Sequence, residues 1–446
     1  MTSTTRQRLM LAASVIVLLL GIGASWAAGR GGVDFPSLYV IGRGVLTGTN
    51  IYAPGATADF PTVYGVDQPM GMFYPPATGF TMLPFAMLPY GVAKFLWFVV
   101  MDLVLVLGVR QLVRVAAPRA ETRVWVFCAG VILLSSTLRW SMILLQGAPL
   151  VFGLLCLFIA AEHDERPRLA TALAVLAVAV KMTLSLPFLG ILLLRRRLLA
   201  VVAAGGTWVL LNVAGFARMG SGALREYRQN VGQLEAFGNI NAPDPWNPIS
   251  LPRLDWTSLI YGLTANLKVA HLASLGLSAL LALGLLWLGF RAAKPKSLRS
   301  TALFLPPLVC LGSMCVYHHH YDACLFFAPA LLAYFNLGEE LRPKWALLLT
   351  APLLLMILVL PIGVVQRLAN DAFGVRGIGL LKLSFPIATN LMLAGSLALL
   401  LRHFAQANGE SVGGTLPGNQ RLNNGSKIDS SPPAASTVSV GKSGIE

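Results

Sequence analysis

The sequence predicts an all-α, polytopic membrane protein, and three observations support this fold class. Of the 446 residues, 56% are hydrophobic and only 12% are charged, whereas soluble domains carry about 25% charged residues. Mean hydropathy is high, at +0.69. Long apolar segments recur along the chain, and each must be helical because an open backbone cannot face lipid. The formal charge of +15 falls in short loops between these segments, which favours contact with anionic lipid headgroups over nucleic-acid binding.

The apolar pattern predicts about twelve transmembrane helices with short interfacial helices between them. The first segment exceeds the usual apolar core of a signal peptide, so we interpret it as a retained helix. Residues 76–90 are apolar but contain Pro84 and Pro89, so a re-entrant or interfacial helix is expected there. The predicted helical segments are 9–28, 91–113, 124–144, 148–162, 169–181, 184–195, 198–217, 272–290, 300–317, 323–338, 345–366 and 379–402.

Basic residues in the loops predict the topology. With the N-terminus inside, every short Arg/Lys cluster falls on one side, as the positive-inside rule requires. This works only if 169–181 and 184–195 are two short legs of a hairpin. Residues 29–75 and 218–257 then form two long outer loops. The predicted domains are a transmembrane domain, 1–404, and a disordered cytoplasmic tail, 405–446, which is rich in Gly, Ser, Asn and Pro.

Asp34 is the first acid of the chain and follows the first apolar segment. A carboxylate at the edge of a membrane helix costs desolvation energy unless it has a partner or a function. Residues 34–47 also suit a short interfacial helix that Asp34 would cap and Gly48 would end. Helix capping is therefore an alternative role for this acid, and the two roles are compatible.

The second long loop carries Arg225, Arg228 and Trp246. Guanidinium groups pair with phosphate, and a Trp face stacks on the apolar face of a sugar ring. We expect the two arginines to bind a donor phosphate and Trp246 to contact substrate. The alternative is an ordinary solvated loop that is anchored at the membrane interface by its tryptophans.

Three consecutive histidines and an acid lie between two apolar segments, in the run Tyr317-His318-His319-His320-Tyr321-Asp322. Successive helical residues point about 100° apart, so this run does not present a tetrahedral ligand set. We expect His319 and His320 to bind phosphate and Asp322 to contact substrate, with polar turn residues as the alternative. The sequence predicts no metal site and no cofactor, and it leaves assistance by a divalent ion open.

Lys181 lies at the outer end of the predicted hairpin, and Gln146 lies in the turn Gln146-Gly147-Ala148-Pro149. The lysine is a candidate counter-charge for phosphate. The alternative is a lysine whose ammonium group only extends to the membrane interface. The amide of Gln146 is available for a ligand. The sequence carries no P-loop, Rossmann fingerprint, hydrolase elbow or zincin motif, which disfavours ATP-driven transport and nucleotide chemistry.

The spaced pattern Asp34…Tyr39…Gly48…Tyr52, followed by Tyr74-Pro75-Pro76 and the later Gln146, Lys181 and His-rich motifs, resembles glycosyltransferase family 87 of the GT-C superfamily. The resemblance spans about residues 9 to 400. This chain departs from the family pattern at Gly42-Arg43-Gly44, where paired Ala is common, and in its number of histidines.

The resemblance implies a GT-C type fold in a bacterial cell (inner) membrane, and the basic loops predict cytoplasmic termini. It implies a hexosyltransferase that uses a polyprenyl-phosphate donor, usually with mannose, and that acts on a glycolipid or glycan hydroxyl at the outer face. Asp34 would be the general base, with Tyr39, Tyr74 and Gln146 near the substrate. One base acting on one face of the sugar implies inversion, by analogy with glycosidases.

A second function class is a transporter or flippase for a lipid-linked or anionic substrate. A count of twelve helices fits that class. The long outer loops, the lone outer acid and the lack of internal repeats argue against it. A neighbouring GT-C family would differ only in its acceptor.

Overall fold

The structure is a computed structural model that describes residues 3–65, 71–236, 239–291, 297–337, 344 and 362–413. Apart from turns and two short 3₁₀ segments, Met182–Ser185 and His320–Phe326, these residues form α-helices. In chain order the helices are α1 (Ser3–Gly29), α2 (Phe35–Thr47), α3 (Phe60–Tyr64), α4 (Pro76–Ala86), α5 (Tyr90–Ala116), α6 (Thr122–Leu134), α7 (Ser136–Leu144), α8 (Ala148–His163), α9 (Pro167–Lys181), α10 (Leu186–Leu194), α11 (Leu198–Met219), α12 (Ala223–Gln233), α13 (Trp256–Thr264), α14 (Leu267–Arg291), α15 (Leu298–Cys315), α16 (Phe327–Asn336) and α17 (Ile362–Gly413).

The all-α, polytopic fold class is confirmed. Within the described ranges, seven helices are long and apolar enough to cross a membrane, or eight if α6 and α7 form one broken span. These two helices replace the single predicted segment 124–144 and meet at an angle of 62°. The break arises at Ser135, which has an extended backbone and whose hydroxyl accepts the Leu138 N–H as a helix cap.

The hairpin predicted from the basic loops is present. By length and composition alone, residues 167–194 could be one span of 28 residues, which would be about 42 Å long if straight. Glu162, just before α9, nevertheless forms ion pairs with Arg195 and Arg197, just after α10. The chain therefore reverses between the two helices, and Lys181, whose backbone leaves the helical region, lies at the tip of the hairpin.

The described basic loops meet at one end of the bundle. Arg114 pairs with Asp164, Arg123 contacts Met10, and Arg196 donates to the carbonyl of Phe290. The helices α1 and α5 each have 27 residues, so their far ends lie about 40 Å away. At that far end the Lys94 ammonium donates to the carbonyl oxygens of Arg30 and Gly31. Asp34 follows directly and therefore lies opposite the basic loops.

Two predicted short helices flank Asp34. Helix α2 ends at Gly48, which adopts the left-handed conformation with φ of 78°, as expected. It packs on α4, where an added Cβ on Gly79 would lie 2.9 Å from the Ile41 carbonyl oxygen. Both helices are largely buried against the rest of the protein.

Two further differences concern the loops and the C-terminal region. Helix α12 lies within the predicted second loop, where its polar sequence lacks the apolar length that marks a membrane helix, and the short helix α13 begins at the end of that loop. Helix α17 continues to Gly413 and is interrupted at Gly374, so the predicted tail begins as helix. Most of the predicted segment 345–366, and residues 414–446 of the predicted tail, lie outside the described residues.

Candidate active site

The broken helix pair α6–α7 positions Asp34. The amide N–H groups of Val33 and Asp34 donate to the carbonyl oxygens of Ile143 and Leu144, at 3.1 and 3.0 Å. These bonds tie the turn before α2 to the last residues of α7. Asp34 stands at the N-cap position of α2, yet its carboxylate makes no capping hydrogen bond. The side chain is therefore available for other partners.

Gln146 supplies one of those partners. Helix α7 is capped at its C-terminus by Leu145, a non-glycine residue with φ of 53°, and the Leu145 carbonyl accepts the indole N–H of Trp97 at 3.0 Å. This fixed turn directs the Gln146 amide at Asp34. The NH₂ group donates to the Asp34 carboxylate and to the Tyr321 hydroxyl, the latter at 3.2 Å. Tyr74 also hydrogen bonds to the Asp34 carboxylate.

Lys181 connects Gln146 to a second acid. Its ammonium group donates to the Gln146 side-chain oxygen at 3.0 Å and to Asp322 at 2.7 Å. The other carboxylate oxygen of Asp322 accepts from Nδ1 of His318 at 2.9 Å. The side chains of Asp34, Gln146, Lys181, Asp322 and His318 thus form one continuous polar chain, which we call the carboxylate network.

The two acids of the carboxylate network differ in their electrostatics. Burial raises the pKa of Asp34, and the Gln146 hydrogen bond and the Lys181 charge only partly oppose the rise. Burial also disfavours ionisation of Asp322, but Lys181 and His318 outweigh it and hold that pKa well below its usual range. The environment thus favours the ionised form of Asp322, whereas it raises the affinity of Asp34 for a proton.

The second long loop encloses the histidine run from one side. The peptide groups around Arg253 pair in antiparallel fashion with those around His319, through Leu254 N–H to His318 O at 2.9 Å and His320 N–H to Pro252 O at 3.2 Å. Arg253 is buried and donates to both carboxylate oxygens of Asp255, at 2.8 and 2.9 Å. This buried ion pair fixes the loop that carries His318.

His319 and His320 do not join the carboxylate network. The ring nitrogens of His319 contact the Pro252 carbonyl and the Asn241 side chain. Both ring nitrogens of His320 lack a hydrogen-bond partner in the described structure. Burial lowers the pKa of both residues, to about 4 for His320. A lowered pKa favours the neutral form of both rings, which can still donate a hydrogen bond to a phosphate.

The contacts of four other predicted residues do not involve Asp34. Tyr39 is buried and donates its hydroxyl to the Leu88 carbonyl at 2.9 Å, which is a packing role. Arg225 and Arg228 line an open cavity of about 430 Å³ beside α12. The ring of Trp246 packs against Gly379 of α17 and is 40% exposed.

Sequence reasoning missed His318 and Tyr321. Both lie in the run that attracted attention for its three histidines, but the run gave no reason to choose among them. The spacing of His318 and Asp322, four residues apart, is a pairing signal on helical backbone. Tyr321 gave no signal, because its contact with Gln146 depends on the fold.

A comparison with protein families supports the family resemblance seen in the sequence. The model of glycosyltransferase family 87 matches residues 73–313, just over half of the chain. No curated protein and no solved structure matches the chain significantly. The matched region contains Tyr74, Gln146 and Lys181. Asp34 and Asp322 lie outside it in sequence and contact Gln146 and Lys181 in the folded protein. The chain therefore belongs to glycosyltransferase family 87, and the protein is a membrane-embedded glycosyltransferase.

Proposed function

We propose that this protein transfers mannose from a polyprenyl-phosphate donor to a hydroxyl group of a glycolipid or glycan, with inversion at the anomeric carbon. The observation that carries the proposal is the position and environment of Asp34. This half-buried acid accepts hydrogen bonds from Gln146 and Tyr74 and makes no cap to its own helix. Family membership supports the reaction class. The sequence resemblance and the membrane topology support the polyprenyl-phosphate donor.

The proposed chemistry needs one base and one counter-charge. The acceptor oxygen attacks the anomeric carbon, the bond from that carbon to the phosphate oxygen breaks, and its electron pair leaves with the phosphate. Asp34 takes the acceptor proton, and its raised pKa makes it a better base. Lys181, which is about one-fifth exposed, offsets charge that develops on the leaving phosphate.

The topology supports a lipid-linked donor. If the basic loops face the cytoplasm, as the positive-inside rule requires, then Asp34 faces the opposite side of the membrane. Nucleotide sugars are made in the cytoplasm, so a sugar used on that opposite side must arrive on a membrane carrier. The proposed location is a bacterial inner membrane with the site on its outer face.

Arg225 and Arg228 provide a second anionic contact in this proposal. They lie on one face of α12 and line the same cavity. Helix α12 is joined to the first loop by hydrogen bonds from Asn50 to Glu226 and from Asn230 to the Tyr52 carbonyl. The arginines are thereby held beside the loop that begins at Asp34, where a lipid phosphate or an acceptor headgroup would approach.

Purified protein in nanodiscs tests the donor and the stereochemistry together. The proposal predicts a glycosylated lipid product from polyprenyl-phosphate-mannose, with the anomeric configuration opposite to that of the donor, as read by mass spectrometry and NMR. A nucleotide sugar without polyprenyl phosphate should give no product. Transfer from the nucleotide sugar alone, or retention of configuration, would refute the proposal.

Replacing Arg225 and Arg228 together by Gln tests the second anionic contact. Because both side chains lie at an open cavity, we expect a raised KM for donor or acceptor with kcat nearly unchanged. A change in kcat alone would place these arginines in the chemical step instead.

A further inference from the structure

The carboxylate network has an accessible part and a hidden part. Asp34 and Lys181 are half-buried, as is Tyr74 beside Asp34, so each has a face that a substrate can reach. Gln146, Asp322 and His318 are buried. The hidden side chains therefore contact the accessible ones and not the substrate.

The hydrogen-bond directions within the network form a fixed sequence. Lys181 is a donor only, so the Gln146 atom that faces it must be the amide oxygen. The NH₂ group of Gln146 must then point at Asp34, where it favours an accepting, ionised carboxylate. The orientation of Gln146 thus follows from the position of Lys181.

Asp322 determines the position of Lys181. Its two oxygens have separate partners, one being Lys181 at 2.7 Å and the other His318 at 2.9 Å. The backbone of His318 is in turn bonded to Leu254 and lies beside the buried Arg253–Asp255 ion pair. Asp322 is therefore held on one side by the folded loop and holds Lys181 on the other.

We propose that Asp322 is a positioning residue that fixes Lys181 and, through Lys181 and Gln146, sets the charge and orientation of the catalytic base Asp34. The inference rests on the proposed function for the identity of the base. It assigns Asp322 a role without substrate contact, in place of the substrate-binding role expected from the sequence.

The two partners act on Asp34 with opposite signs. The Lys181 cation stabilises the ionised carboxylate of Asp34, and the Asp322 anion destabilises it. The neutral Tyr74 hydroxyl also donates to Asp34. Among the residues that the structure describes, the other titratable or charged groups that interact with the two acids are His318, His319, His320, Tyr317, Tyr321 and Cys324. Burial lowers the pKa values of His319 and His320, which favours their neutral forms.

The pH dependence of kcat/KM tests the proposal. Activity must fall as the pH drops through the pKa of Asp34, since only the ionised form accepts a proton. Asp322→Asn removes the anion but keeps a side-chain oxygen that accepts from Lys181, so Lys181 stays in place and this acid limb should move to lower pH. Lys181→Gln removes the cation, so the limb should move to higher pH. Asp322→Ala leaves Lys181 without this acceptor. We expect Asp322→Ala and Lys181→Gln to lose roughly tenfold or more in kcat/KM at the alkaline plateau, because the base is misoriented.

Asp102→Asn is the matched control. Asp102 is also a buried acid, but its hydrogen bond, of 3.0 Å, is to Ser25 between α1 and α5. Its replacement should leave the acid limb where it is in the wild-type protein. Acid limbs that do not move in Asp322→Asn and Lys181→Gln, or that move in the same direction in these two variants, would overturn the proposal, as would wild-type kcat/KM in Asp322→Ala.

A second measurement does not need activity. Infrared difference titration of the full-length protein, with Asp34→Asn as the subtracted reference, follows protonation of Asp34 directly. The same opposite displacements are expected in the Asp322→Asn and Lys181→Gln backgrounds, and their absence would refute the positioning role. An enzyme that transfers no sugar but shows these displacements would contradict the proposed function and leave the coupling intact.

Discussion

The ion pairs at the base of the α9–α10 hairpin give the sharpest stability prediction. Glu162 is only 3% exposed and accepts from Arg195 at 2.5 Å and from Arg197. Arg195 also donates to the Thr301 hydroxyl at 3.1 Å, which ties the hairpin to α15. Replacing Glu162 by Gln keeps the shape of the side chain but removes the shared negative charge.

The expected cost follows from the burial of each partner. The Arg195 side chain is 8% exposed, so it would be left as a buried charge without its counter-ion, a loss of about 3 to 5 kcal/mol. The Arg197 side chain is 29% exposed and can be hydrated, so its loss adds no more than about 1 kcal/mol. Arg195 therefore accounts for most of the destabilisation.

SDS-driven unfolding in mixed micelles, followed by tryptophan fluorescence, measures this free energy. Glu162→Gln should lower the free energy of unfolding by about 3 to 5 kcal/mol. The double variant Glu162→Leu, Arg195→Met should recover most of the loss, since apolar replacement of a buried pair is often neutral. A loss below about 1 kcal/mol in the single variant would show that the pair behaves as a solvated surface contact, contrary to its burial.

Two further predictions concern packing and the site. An added Cβ on Gly108 would lie 2.5 Å from the backbone of α8, so Gly108→Val should reduce the yield of folded protein in size-exclusion chromatography. Gly91→Ala, on the same helix but with nothing within 4 Å, should not, and equal yields would contradict the close helix packing. Tyr74→Phe removes a hydrogen bond that lowers the pKa of Asp34, so the acid limb of kcat/KM should move to higher pH. An unmoved limb would show that Tyr74 does not act on the base.

Much of this architecture follows from the sequence because the membrane imposes simple rules. Apolar length and loop charge were sufficient for the long helices and for the hairpin between Arg168 and Arg195. The break at Ser135 was not predicted, because a serine within an apolar run can either cap a new helix or bond back to its own helix. Helix α12 was missed because its sequence is polar, without the apolar length that marks a membrane helix.

The sequence indicated single candidate residues of the site but not the contacts between them. Asp34, Gln146 and Lys181 stood out because polar groups are costly near lipid. Their mutual contacts could not be predicted, since they join chain positions more than 30 residues apart. Only His318 of the three histidines contacts Asp322 among the described residues. Its position depends on the loop around Arg253, which lies more than 60 residues earlier in the chain.

The central claim is that the Asp34 carboxylate removes the acceptor proton. Asp34→Asn preserves the size of the side chain and its ability to accept from Gln146, but it cannot take up that proton. The most direct test is the single-turnover rate of mannose transfer from polyprenyl-phosphate-mannose by wild-type and variant protein of equal thermal stability. The account predicts a loss of about 10²- to 10⁴-fold, and a variant that retains the wild-type rate would contradict it.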